Sequence, residues 1–115
     1  MEIVRWSEEP VEQLSPGIGR QMLNTANLTV ATIHLAAGAV VPRHQHHNEQ
    51  VANVLSGGAR FVVGGEEAVV SAGESIAIPA DTPHEVVALE DTVVIDVFAP
   101  RREDWIAGDD AYLRG

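Results

Sequence analysis

The sequence predicts an all-β domain, a sandwich or barrel of short strands. Short runs rich in Val, Ile and Thr recur along the chain, and glycine or proline punctuates them at short intervals. Only one stretch, near the C-terminus, carries a set of helix start and stop signals.

In chain order, residues 17–23 form a weaker strand candidate and residues 28–36 a strong one, since the latter are dense in Thr, Val and Ile. Further strands are expected at 50–55, 60–63, 68–71, 75–78, 84–89 and 92–98. Turns are expected at Gly38, Ser56-Gly57-Gly58, Gly64-Gly65, Ala72-Gly73, residues 79–83 and Glu90-Asp91. A short helix is expected at 101–107, where Pro100 stands at the entry, Glu103 and Asp104 fall in the first turn, and Gly108 marks the exit. Residues 109–115 can be ordered only by docking onto the barrel or a partner. Along 92–98, Val93, Ile95 and Val97 alternate with Val94, Asp96 and Phe98, so both faces of that strand are mostly apolar. Its outer face needs cover from the N-terminal segment, the terminal helix or the second subunit of a homodimer.

At 115 residues the chain is expected to be one domain, 1–115, large enough for a core. Seventeen acidic against seven basic residues give a net charge of -10. Nucleic acid and anionic membranes bind mainly through Lys and Arg, so neither is expected as a partner. No run of the sequence is long and apolar enough to suggest a membrane span, and residues 1–10 lack signal-peptide character. A cytoplasmic location is the default expectation. The absence of cysteine rules out disulfides.

Three of the five histidines lie within residues 44–47. His44 and His46 have the spacing that puts side chains on one face of a strand, Gln50 keeps their parity, and His84 can arrive from a distant strand. Three imidazoles and an amide oxygen facing one point suit one divalent transition metal ion, with zinc, nickel, iron and manganese all compatible. A lone surface His-x-His-His would be an accident of composition. His47 has the opposite parity and should point outward, and Glu49 is out of phase for the same reason. His34 lies on an apolar strand and reads as a packing or lumen residue.

Two frames of spacing make the pattern specific. The first is Gly38, five residues, His44, one residue, His46, three residues, Gln50, six residues, Gly57. The second is Gly73, five residues, Pro79, one residue, Asp81, two residues, His84. Together, in core motifs 38–57 and 73–88, they resemble the two motifs of the cupin family. Gln50 stands where Glu is commonest, Asp81 where Gly is usual and Ala88 where Asn is usual. The resemblance implies a double-stranded β-helix (jelly-roll) barrel with a short C-terminal helix and a metal held in the lumen by His44, His46, Gln50 and His84. A neutral His/His/His/Gln set leaves the full divalent charge on the metal, favouring Lewis-acid over redox chemistry.

Beyond the motifs, Asp96 and Phe98 share a strand face, and both enter the lumen if either does. Asp96 could then act as general acid or base, and Arg102 could clamp a substrate carboxylate against the repulsive net charge. The plainer readings are an exposed strand-end Asp96 and an Arg102 paired with Glu103 or another neighbour. The run Asp96-Val97-Phe98-Ala99-Pro100-Arg101-Arg102-Glu103-Asp104-Trp105, together with the Gln-bearing first motif, is similar to the pectin-degradation cupins that linearise unsaturated monouronates. That similarity implies a small anionic sugar acid as partner, catalytic roles for Asp96 and Arg102, and Arg102 and Phe98 as its contacts. A metal-dependent dioxygenase and a non-catalytic metabolite-binding cupin use the same ligands and stand as alternatives.

Overall fold

The computed structural model describes residues 1–115 as ten strands and two single-turn helices. The strands are β1 (Glu12–Ser15), β2 (Ile18–Asn24), β3 (Thr29–Leu35), β4 (Val40–His44), β5 (Glu49–Ser56), β6 (Gly58–Val63), β7 (Glu66–Ser71), β8 (Ser75–Ile78), β9 (His84–Ala88) and β10 (Thr92–Ala99). The helices are α1 (Glu103–Ile106) and α2 (Ala111–Arg114). The strands form two antiparallel sheets, ordered β1-β2-β3-β10-β5-β8 and β4-β9-β6-β7. This is the expected all-β jelly-roll barrel.

Alternation decides which side chains fill the space between the sheets. On β10, Thr92, Val94, Asp96 and Phe98 are buried while Val93, Ile95 and Val97 are half-buried on the other face. Ile33 and Leu35 from β3, Ala52 and Val54 from β5, Phe61 from β6, Ile78 from β8 and Val86 from β9 complete the interior. β6 and β7 form a hairpin between the two motifs, closed by Gly64 and Gly65, both at positive φ.

The motif positions have local causes. Gly57 sits at φ +78°, and a Cβ there would lie 2.2 Å from the Asp91 carbonyl oxygen. Asp81 is the one non-glycine residue at positive φ, 55°. The position therefore favours glycine, and Asp is among the few residues that visit this region readily.

Two elements lay beyond the pattern of the sequence. β1 and β4 have no β-branched run comparable to residues 28–36, and β4 contains Pro42 and Arg43; pairing with β2 and β9 makes them strands. The helix expected at 101–107 is the single turn of α1, and the segment after Gly108 adds α2.

Candidate metal centre

Four chain segments converge at one end of the barrel. His44 is the last residue of β4, and His84, directly opposite it in register, is the first of β9. Gln50 lies on β5, facing inward with 7% exposure. His46 is not on a strand: it lies in the loop between β4 and β5, so shared strand parity does not explain its approach to His44. The loop is pinned instead. Asn48, buried, donates through Nδ2 to the Pro100 carbonyl at 2.6 Å, and Asp81 N–H donates to the His46 carbonyl at 2.8 Å. His47 is exposed, as parity suggested, and His34 meets Gln21 Oε1 at 2.9 Å, far from a ligand role.

The ring nitrogens of His44, His46 and His84 lie within 4.8 Å of one another. Each Nδ1 faces a backbone carbonyl: Pro42 at 2.8 Å, Asn48 at 2.9 Å and Thr82 at 2.8 Å. Donation there fixes the proton on Nδ1 and leaves Nε2 as a lone pair aimed inward. Burial pushes His44 and His46 down to about 4 and lowers His84 too, so all three imidazoles are neutral near pH 7.

The fourth donor is oriented from behind. Gln50 Nε2 donates to Asp96 Oδ1 at 2.9 Å, which turns Oε1 toward His46 Nε2 at 3.1 Å. With the His46 proton held at Nδ1, these are two acceptors facing each other, an arrangement that a cation between them would satisfy. His84 Nε2 is buried with no hydrogen-bond partner. A divalent metal ion fits this donor set: three neutral nitrogens and an amide oxygen, each held by a second hydrogen bond.

Asp96 and Phe98 both enter the lumen, as their shared face required, with 8% and 1% exposure. Burial raises the Asp96 carboxyl to about 7, although the Gln50 hydrogen bond and the Arg102 charge oppose the shift. Arg102 is 1% exposed and lies over the rings of Trp105 and Phe98, 3.9 and 4.7 Å from their centroids. Its Nε and Nη2 donate to the two oxygens of Asp104 at 2.9 and 2.7 Å, and Nη2 also donates to the Tyr112 hydroxyl at 3.0 Å. The bidentate edge of the guanidinium is therefore occupied from within the chain, by Asp104 rather than Glu103, while Nη1 has no partner.

Residues 31–98 match the family profile of the Cupin domain. The chain is a cupin. Over 102 residues it is 33% identical to the pectin degradation protein KdgF of Dickeya dadantii, an alignment covering 86% of this chain and 93% of that protein. Among solved structures, KdgF from Halomonas sp. superposes with a TM-score of 0.87 at 33% identity, over 91% of this cupin and 98% of that chain. An RmlC-like cupin from Shewanella frigidimarina gives 0.86 at 30% identity, over 91% and 96%.

Sequence reasoning passed over Tyr112. The ring of this single tyrosine stacks on His44, centroid to centroid 4.4 Å, and its hydroxyl accepts from Trp105 Nε1 at 3.0 Å. The one available signal was the apolar pair Tyr112-Leu113 among the charged residues of the tail.

Proposed function

We propose that this cupin is a metal-dependent, non-redox enzyme acting on a small sugar acid, and that it linearises a 4,5-unsaturated monouronate. The observation that carries the reading is the convergence of three Nε2 lone pairs and Gln50 Oε1 on one point, with Asp96 directly behind the amide. The likeness to pectin degradation proteins supports the substrate class. His44, His46, Gln50 and His84 would hold the metal, which when bound would polarise a substrate oxygen.

The remaining steps belong to the chain. Arg102 binds the substrate carboxylate, and Phe98 forms the apolar wall of the chamber. Asp96, raised to about 7, is part ionised near neutrality and suited to both accepting and returning a proton. It takes the proton of the anomeric hydroxyl as the bond between the anomeric carbon and the ring oxygen breaks. The ring oxygen leaves as an enolate oxygen, and return of the proton to the alkene carbon gives the linear keto acid. The reaction is an isomerisation with no oxidant or reductant.

The test is incubation of metal-loaded protein with the unsaturated monouronate in air and under anaerobic conditions, following loss of the ene-acid absorbance. Equal rates are expected. Oxygen uptake in step with substrate loss would select the dioxygenase, and saturable binding without product the binding module. The half-buried outer face of β10 suits a homodimer, and light scattering showing a monomer at working concentration would reject it.

A further inference from the structure

The unfilled space within the chamber is about 50 Å³. That suffices for a few water molecules but falls well short of the roughly 300–1,000 Å³ typical of ligand pockets. Tyr112 and Leu113 from α2 line it together with His44, His84, Asp96 and Arg102. The chain's own C-terminal segment thus occupies the room that a sugar acid would need.

How that segment is attached differs from the strand-borne residues around the chamber. α2 is a single turn with no side-chain cap at its N-terminus, too short to be stable unless docked. It follows Gly108 at φ +81°. Its anchor lies outside the chamber. Asp110, 1% exposed, accepts from Arg20 Nη2 at 2.9 Å and from Arg114 Nε at 2.7 Å, and Arg20 also donates to Glu12 at 2.8 Å. Inside, Tyr112 offers its hydroxyl oxygen to Arg102 Nη2 and Trp105 Nε1. A carboxylate is a stronger acceptor for the same two donors, so an incoming acid can exchange for the phenol without leaving either donor unpaired.

We propose that residues 109–115 form a latched lid on the metal chamber. Tyr112 is the plug that stands in for the substrate carboxylate, and the Asp110 ion pairs with Arg20 and Arg114 are the latch. The identity of the displacing ligand rests on the sugar-acid reading above; the existence of the lid does not.

The test uses the full-length, metal-free chain and the imidazole reagent diethyl pyrocarbonate, with each histidine's modification rate read by mass spectrometry. His84 reports the chamber, exposed His47 the reagent, and His34, bonded to Gln21, the integrity of the fold. In the wild type, His84 should react far more slowly than His47. Tyr112→Ala removes the plug, and Asp110→Asn weakens the latch while leaving every chamber residue in place. Both should speed His84 modification about tenfold or more with His34 and His47 unchanged. Equal His84 rates in all three proteins would overturn the lid, as would His34 rising together with His84, since the segment would then hold the whole fold together. Because neither metal nor substrate enters the assay, failure of the turnover experiment leaves this result intact.

Discussion

The strand-borne walls of the chamber and the C-terminal segment that closes it are built on different terms. His44, Gln50 and His84 sit on strands paired within the two sheets, and the Nδ1 atoms of His44, His46 and His84 are each held by a backbone carbonyl. Tyr112 arrives on one helical turn secured by side-chain ion pairs. Of the groups that must converge, His44, Gln50 and His84 are fixed by backbone pairing and His46 by a pinned loop. The group that must yield is attached by contacts that can open locally.

The largest effect expected is on the wall side. Asp96→Asn should lower turnover by about 10²–10⁴-fold, the usual worth of a general acid–base group, with metal content unchanged by elemental analysis. Full activity in the variant would remove Asp96 from the chemistry. The next prediction concerns cooperativity. Phe61→Ala, in the barrel interior, should cost about 3–5 kcal/mol in urea unfolding. Leu113→Ala, equally apolar and 4% exposed, should cost less than about 1 kcal/mol, because the segment can detach before the barrel unfolds. Equal losses would place the segment in the same cooperative unit as the barrel.

Acid sharpens the picture of the walls. His44 and His46 are held down to about 4, whereas in the unfolded chain they titrate near their ordinary value of about 6.5. Below that value the unfolded chain binds more protons, so their contribution is complete above about pH 6.5 and fades as pH falls toward about 4. Asp96 works in the opposite sense. Raised to about 7 from an ordinary value of about 3.9, its contribution is greatest below that lower value and is lost as pH rises toward 7. Asp96→Asn should therefore make the metal-free protein lose stability more steeply on acidification from pH 6.5 to 4. Parallel stability curves for wild type and variant would contradict the assignment. Smallest of all is His47→Ala: with its side chain exposed beside the site, Tm and metal content should stay at wild-type values.

The barrel was legible because its information is local. β-branched runs and glycine turns mark β2, β3 and the strands from β5 onward, and the fixed spacings from Gly38 to Gly57 and from Gly73 to His84 carry the candidate ligand set. What was not legible depends on distant partners. β4, with Pro42 and Arg43, is a strand because β9 pairs with it. His46 reaches the site through Asn48 gripping the Pro100 carbonyl, 52 residues away in sequence, rather than through strand parity. Asp104 holds the bidentate edge of Arg102, a choice that Glu103 one residue earlier could have made on sequence alone. Tyr112 becomes a wall of the chamber only because Asp110 meets Arg20, 90 residues away.

The central claim is that the inward lone pairs of His44, His46 and His84, with Gln50 Oε1, constitute a metal site. Elemental analysis of untagged protein purified without chelators, beside His84→Ala prepared identically, tests it most directly. One divalent transition metal ion per chain in the wild type, lost in a folded His84→Ala variant, is the predicted result. Wild-type protein that remains free of metal after equilibration with zinc, nickel, iron and manganese would contradict the claim.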